Sequence, residues 1–430
     1  MSAARPGAAR ERAVLVGLQL RGRAGWDLEE SLAELERLAV SAGAQVVGVF
    51  RQRRDRPDPA TLIGRGKADE LAALLLERDA TLAIFEHELT PGQEHNLGRT
   101  LNAKVLDRTD LILDIFAQRA RTREGRLQVE VAQLARLLPR LVGKGLALSR
   151  LGGGIGTRGP GETRLESDRR RVRERLAALR GKIAAIGRHR ALYQRRRRKA
   201  PIPVVALVGY TNAGKSTLLN ALAGSSVAAE DRLFSTLDPT SRRIALPGGG
   251  AFVLTDTVGF IRHIPPQLTA AFTATLGELH EADLLLHVTD ASHPAHDVQR
   301  ETVLGFLREL GLESAPRLDV YSKIDRLAPG DPLRSAGRPR QGAIAVSAVT
   351  GERLGELLVR IREALGPEGE QEILVPYAHL GALARLRREG RIVAETALPE
   401  GLRVRMRGDA AAAARLSRAI AGRAVASRVD

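Results

Sequence analysis

Residues 209–217 read Gly209-Tyr210-Thr211-Asn212-Ala213-Gly214-Lys215-Ser216-Thr217. The spacing G-x-x-x-x-G-K-[ST] is that of a phosphate-binding P-loop. Its glycines let backbone N–H groups close around phosphate oxygens, and a helix opening at the lysine adds its positive end. Lys215 can reach the β- and γ-phosphates, and Ser216 can ligate Mg²⁺. Four further segments follow in order. Phe234-Ser235-Thr236-Leu237-Asp238 lies in a polar connection, where Thr236 can complete Mg²⁺ coordination and sense the γ-phosphate. Asp256-Thr257-Val258-Gly259 ends an apolar run. Its carboxylate suits a position one water removed from Mg²⁺, and the Gly259 N–H suits the γ-phosphate. Ser322-Lys323-Ile324-Asp325 closes another apolar run, and Asp325 can accept both N1–H and N2–H₂ of guanine, which adenine cannot offer. Val346-Ser347-Ala348 suits a backbone N–H contact to guanine O6. In this order the segments form the pattern of a GTPase, with Lys215, Thr236 and Gly259 expected to act on the transferred phosphoryl group.

Two positions, Phe260 and Ser322, depart from the common pattern. Phe260 stands where many GTPases place a Gln that orients the attacking water. Phe cannot hydrogen-bond water, so slow intrinsic hydrolysis is expected, completed by a backbone group, a cation or a partner. Asn212 is a candidate helper, because several GTPases with Asn at this loop position use K⁺ beside the phosphates; the plainer reading is a bond within the loop. Ser322 replaces the Asn that usually braces the guanine loop. GTP is therefore expected over ATP, with somewhat weaker nucleotide binding than with Asn.

These residues need elements to hold them. Val204-Val205-Ala206-Leu207-Val208 reads as the strand before the phosphate loop, and Leu218, Leu219 and Leu222 as the helix after it. Strands and helices alternate over residues 201–366, as expected of a mostly parallel sheet with flanking helices. Residues 12–108 alternate in the same way and predict a smaller α/β subdomain, preceded by a disordered arm, 1–11. Ile63-Gly64-Arg65-Gly66-Lys67 lacks the phosphate-loop spacing and reads as a turn and helix start. From Thr109 the pattern turns helical. Leu127, Val131, Leu134, Leu138 and Leu141 form one heptad-like seam; Leu165, Val172, Leu176, Leu179, Ile183 and Ile186 form another. Between them, residues 143–161 hold eight glycines, so an antiparallel helical hairpin over 109–200 with a Gly-rich tip loop is expected. Residues 371–430 suggest strand–helix–strand–strand–helix, a small α+β domain. The fold class is α/β: a P-loop GTPase domain preceded by an α/β subdomain and hairpin, and followed by the α+β domain.

Charge is distributed unevenly. The chain of 430 residues carries +17, and residues 101–200 alone hold 26 Lys/Arg against 9 Asp/Glu. The rest is close to neutral. Such a block meets phosphates, in nucleic acid or at a membrane surface. Aromatic residues are only 3%, which favours phosphate contacts and shape recognition of structured RNA over base stacking. Lys144, Arg150 and Arg158 lie in the expected tip without a neighbouring acid and are the candidate RNA contacts. Cysteine is absent, which excludes disulfides, thiolate zinc sites and thiol catalysis. No run of membrane-spanning length occurs, the seams bury their apolar residues, and Met1–Arg12 lacks the apolar core of a secretory leader. A cytoplasmic protein without membrane insertion is expected.

Longer motifs carry a family resemblance across almost the whole chain. Phe85-Glu86-His87-Glu88-Leu89-Thr90-Pro91, Asp107-Arg108-Thr109-Asp110-Leu111-Ile112-Leu113-Asp114-Ile115-Phe116, Gly159-Pro160-Gly161-Glu162-Thr163-Arg164-Leu165-Glu166 and Gly259-Phe260-Ile261-Arg262-His263 resemble the HflX-type GTPases of the translation-factor class. The resemblance implies GTP/GDP and Mg²⁺ at the nucleotide site and binding to the large ribosomal subunit and its RNA, with the hairpin loop reaching toward the active centre. It further implies GTP-dependent splitting or rescue of stalled ribosomes, often under stress. A protein monomeric off the ribosome is expected. The alternative is an RNA or ribosome-assembly factor that uses the nucleotide domain as a timer without splitting.

Overall fold

An apolar run such as Ala13–Leu18 has no polar face to offer water, so it must be covered on both sides, as strands of parallel sheets are. In the computed structural model it forms the middle of β1 (Arg12–Leu20), and Val14 and Leu15 are fully buried. The structure describes residues 10–21, 28–149, 160–197, 202–224, 233–234, 240–247, 250–262, 279–336, 342–365, 370–383 and 390–408. They divide into two units. The first holds the described residues up to Ala184 together with Leu233, Phe234, Ile261 and Arg262; the second holds the rest.

In the first unit β1 pairs in parallel with β2 (Gln45–Arg54) and β3 (Leu82–Phe85), and β3 with β4 (Lys104–Asp107). The order β2-β1-β3-β4 reverses direction at β1. The connecting helices are α1 (Leu28–Ala42), α2 (Arg65–Glu77) and α3 (Pro91–Leu101). Val14, Val16, Leu71, Phe85 and Leu97 share one core. Gly64 is the N-cap of α2, so the Ile63–Lys67 segment is a turn and helix start as expected.

Two of the family-like motifs do structural work here. Thr90 and Gln93 form a capping box with Pro91 in the first turn of α3. Asp107 and Asp110 form another at the start of α4 (Arg108–Arg119). α5 (Arg123–Ser149) and α6 (Pro160–Arg197) are the two long helices. Leu127, Val131, Leu134 and Leu138 meet Val172, Leu176, Leu179 and Ile183, the residues whose spacing defined the two seams.

The glycine-rich tip differs from expectation. α5 continues through Gly143 and Gly145 to Ser149, and α6 opens on Pro160. Each glycine costs only about 1 kcal/mol in a helix, and Leu146, Ala147 and Leu148 are strong helix formers that carry the helix onward. Pro160 suits a first helical position, where no N–H is needed.

In the second unit the order is β10-β9-β8-β5-β7-β6: β5 (Val204–Gly209), β6 (Thr240–Ala245), β7 (Ala251–Asp256), β8 (Leu284–Asp290), β9 (Arg317–Ser322) and β10 (Ile344–Ala345). All pairs are parallel except β6 with β7. The helices are α7 (Lys215–Ala223), α8 (His296–Glu309), α9 (Pro332–Ala336) and α10 (Leu354–Ala364). Leu207, Leu218, Phe252, Leu286, Val320 and Leu357 lie in its core. This is the α/β P-loop GTPase fold. A three-stranded antiparallel sheet, β11 (Glu370–Val375), β13 (Gly401–Gly408) and β12 (Gly390–Leu398) in that order, follows. A 3₁₀ turn occupies Tyr377–Ala382; of the helix expected over Leu383–Leu386 only Leu383 is described, and it is helical, while residues 384–389 and the Ala-rich tail lie outside the described residues.

Candidate nucleotide site

β5 is flanked by β8 on one side and β7 on the other, so the strand order reverses beyond its carboxyl end, where open α/β sheets bind ligands. Its last residue, Gly209, lies against β8: a Cβ there would stand 2.2 Å from the Val288 carbonyl oxygen. Only glycine fits that approach. The loop turns through Asn212 (φ 61°) and Gly214 (φ 89°), and Gly214 caps α7. The first N–H groups of α7 therefore face the loop, with the helix dipole behind them.

Lys215 is 6% exposed, and its Nζ donates to the carbonyls of Gly209 (3.1 Å) and Tyr210 (2.8 Å). Burial lowers its pKa to about 8, with Asp256 opposing the shift and Lys323 adding to it. Ser216 Oγ donates to Asp256 Oδ2 at 2.6 Å, and Thr257 Oγ1 donates to the Leu207 carbonyl at 2.6 Å, tying the loop after β7 to β5. A hydroxyl and a buried carboxylate side by side are oxygen donors that suit Mg²⁺, an ion that keeps waters and takes phosphate oxygens as further ligands. No cluster of three His, Cys, Asp or Glu occurs among the described residues. Val258 and Gly259 complete the segment, and Thr217 is the third residue of α7.

Phe260 is 3% exposed, its ring stacked on Phe306 of α8 with centroids 5.5 Å apart. Its backbone pairs with the phosphate loop: the N–H donates to Gly209 O (3.1 Å), and the carbonyl accepts from the Thr211 N–H (2.7 Å). The ring is committed to packing, as its apolar chemistry required.

On the guanine side, Ser322 is buried, and its Oγ donates to the carbonyls of Ala213 (2.6 Å) and Thr289 (3.1 Å). The short hydroxyl thus braces the phosphate loop directly. Lys323 (φ 58°) donates to the Asn212 carbonyl at 2.6 Å and pairs with Asp290 at 2.7 Å. Against the pull of burial, hydrogen bonds from Lys323 and Ser292 hold the Asp290 carboxyl below the usual range. Ile324 is buried at the start of a 3₁₀ turn, and Asp325 Oδ1 accepts from Ser347 Oγ at 2.6 Å. The Val346 N–H donates to Tyr321 O and the Ser347 N–H to Glu352 O. Of the three residues expected to meet guanine O6, Ala348 keeps its N–H uncommitted among the described residues.

The phosphate loop, Asp256–Gly259, Ser322–Asp325 and Val346–Ala348 therefore stand together at the carboxyl ends of β5, β7, β9 and β10. Ser235, Thr236, Leu237 and Asp238 lie outside the described residues, as do Arg150 and Arg158; Lys144 lies in α5, with its side chain undescribed. Phe234 belongs to the first unit, where its ring meets Phe116 edge-on at 4.6 Å. The sequence reading missed Asp290, the side-chain role of Ser347 and the Phe306 ring. Asp290 was open to inference as a carboxylate at a strand end facing the site; Phe306 lay inside an ordinary helical pattern.

Three family models match the chain: "GTP-binding GTPase N-terminal" over residues 29–117, "GTP-binding GTPase Middle Region" over 119–198, and "50S ribosome-binding GTPase" over 204–323. GTPase HflX of Caldanaerobacter subterraneus subsp. tengcongensis is 48% identical over 397 residues, covering 92% of this chain and 90% of the relative. GTPase HflX of Escherichia coli is 46% identical over 346 residues, covering 80% and 81%. Among solved structures, a GTP-binding protein of Sulfolobus solfataricus in complex with GDP aligns at 25% identity and a TM-score of 0.44, over 83% of this chain and 98% of that one. With a phosphate loop, guanine loop and β7 carboxylate assembled on one sheet, and with such identity along nearly its full length, the chain belongs to the HflX family of ribosome-binding GTP hydrolases.

Proposed function

We propose that this GTPase binds the large ribosomal subunit through its basic hairpin and uses GTP to split or rescue stalled ribosomes. The observation that carries the reading is the charge excess confined to residues 101–200, the block that supplies most of α5 and α6. Around the buried seam residues Leu176 and Leu179, α6 exposes Arg171, Arg173, Arg175 and Arg180, with the Arg171 side chain 78% exposed. Such a surface suits RNA phosphates. Lys144, Arg150 and Arg158 are the residues assigned to RNA at the tip. The protein acts in the cytoplasm and is monomeric off the ribosome. Among the described residues no helix is long and apolar enough to cross a membrane.

At the nucleotide site, Gly209–Thr217 cradle the phosphates, and Lys215 neutralises the β- and γ-oxygens. Ser216 and Thr236 would hold Mg²⁺, with Asp256 supporting it from one shell further out, and the ion would neutralise charge on the phosphates. Gly259 directs its N–H at the γ-phosphate. Asp325, oriented by Ser347, reads guanine, while Ser322 and Lys323 hold that loop against the phosphate loop. K⁺ beside Asn212 is an additional cation site in this reading. With the Phe260 ring committed to the core, hydrolysis is slow until the ribosome completes the site.

The test is sedimentation of intact ribosomes incubated with the protein and a nonhydrolysable GTP analogue. Separation into subunits that grows with protein concentration is expected, and loss of that effect when residues 143–161 are shortened. Intact ribosomes at every concentration would instead support an assembly or remodelling factor. Turnover measured with and without large subunits checks the stimulation, and equal rates would remove it.

A further inference from the structure

Buried hydroxyls almost always find a partner, and one left alone costs about 1–3 kcal/mol. Among the described residues, Thr211 Oγ1 is the only buried hydroxyl without one. Thr211 is 6% exposed and lies in the phosphate loop. Its backbone is fixed: its N–H donates to the Phe260 carbonyl at 2.7 Å. The side chain is therefore held in place while its one polar atom has no partner.

Its surroundings indicate what the hydroxyl is for. A Cβ added to Gly259 would sit 2.9 Å from Thr211 Cγ2, 3.0 Å from Thr211 Cα and 3.0 Å from Lys215 Nζ. The Thr211 methyl and Cα, the Gly259 backbone and the lysine amine thus converge on one small space, and the Thr211 hydroxyl is carried on the carbon next to that methyl. In P-loop GTPases the lysine marks the β- and γ-phosphates, and the residue after D-x-x-G orients the attacking water. Here that residue is Phe260, whose ring is stacked on Phe306. The site lacks its usual water-orienting group and holds an unused hydroxyl in the phosphate loop, on a residue whose N–H is bonded to the Phe260 carbonyl.

We propose that Thr211 Oγ1 is the group that orients the attacking water, accepting a hydrogen bond from it beside the γ-phosphate. In the step, the water oxygen bonds to the γ-phosphorus as the bond from that phosphorus to the β-phosphate oxygen breaks. The electron pair of the broken bond leaves with GDP, and both water protons finish on the inorganic phosphate. Thr211 itself gains and loses no proton. The inference rests on the GTP hydrolysis of the family and not on the reading of ribosome splitting.

The test uses the full chain with Thr211→Val, which keeps the shape and removes the hydroxyl, and Thr211→Ser, which keeps the hydroxyl. Single-turnover GTP hydrolysis, GTP and GDP affinity, and thermal stability are measured, with and without large subunits. The Val variant is expected to lose about 10²- to 10³-fold in rate. The rate is read on bound GTP, so that any change in affinity is separated from it, and the variant should be no less stable, because it sheds an unsatisfied polar atom. The Ser variant should hydrolyse close to the parent rate. A Val variant that hydrolyses bound GTP at the parent rate in both conditions overturns the proposal. So does loss of nucleotide binding in both variants, since the hydroxyl would then serve the shape of the loop.

Discussion

At the residue scale, Lys215 shows how the site is poised for phosphate. Its ammonium is buried, with only carbonyl oxygens and the nearby Asp256 to offset the lost hydration, and its pKa sits at about 8 against an ordinary value near 10.5. Phosphate oxygens restore the missing charge compensation, so binding raises the pKa again. Below about pH 8 the lysine is already protonated and affinity is flat with pH. Above it, binding must take up a proton, and affinity falls by up to tenfold per pH unit until the ordinary lysine value is reached. Calorimetric GDP titrations between pH 7 and about pH 8.5, where the guanine N1–H stays largely protonated, in two buffers of different ionisation enthalpy, would read this uptake directly. A pH-independent affinity with no buffer dependence would show that Lys215 stays charged before phosphate binds. Ser322 teaches a complementary lesson. Its replacement of Asn suggested weaker nucleotide binding; the hydroxyl reaches both Ala213 O and Thr289 O and so ties the guanine loop to the phosphate loop and to β8.

At the element scale, the base of the hairpin is held by charges that have left water. Arg136 of α5 contacts Asp107, Asp110 and Glu88, and Arg140 bonds Asp110 at 2.7 Å and pairs with Glu94 at 2.9 Å. The same two aspartates cap α4. Burial and the Asp110 charge push the Asp107 carboxyl above its ordinary value, while Arg136 pulls it back. Against burial, the Arg140 hydrogen bond and the charges of Arg140 and Arg136 hold Asp110 below its own. Arg136→Met leaves two buried carboxylates short of a cation and should destabilise the first unit by about 3–5 kcal/mol. The deficit should shrink as pH falls. With the cation gone, the folded-state pKa of the pair rises, so the folded state takes up a proton that the unfolded state does not, and stability returns below that value. Hydrogen exchange of the α4 amides in the full chain at pH 7 and pH 5 reads both effects, and equal protection to that of the parent chain would refute them. None of this network was legible in the sequence, because it joins residues up to 48 positions apart through side chains that any exposed helix could carry. What was legible was periodic or punctuated. The Leu127–Leu138 and Val172–Ile183 seams, the alternation around β5 and the phosphate loop each repeat a local rule. The glycines of 143–145 misled because a helix end depends on the sum of its neighbours, not on the presence of glycine.

At the scale of the whole molecule, the nucleotide site accounts for little of the charge: residues 201–430 are nearly neutral, and the excess lies in the block before them. Binding that relies on this block is a counterion-release process, so its salt dependence counts the phosphates engaged. Affinity for isolated large subunits, with GTP analogue saturating, should fall linearly in log–log form with salt. If about 6–10 phosphates are engaged, the loss between 50 and 200 mM is of order 10³- to 10⁵-fold. Arg195, Arg196, Arg197, Arg198 and Lys199 form the densest run, at the end of α6 and just beyond it. Replacing all five with Gln should lower the slope by about 1 for each phosphate that is no longer neutralised, while GTP affinity without ribosomes stays that of the parent. The two readouts separate the basic block from the switch: a change in nucleotide affinity with an unchanged slope would place these arginines in the support of the nucleotide domain. A slope near zero in the parent chain would remove phosphate contact as the basis of ribosome binding, whatever the nucleotide site does.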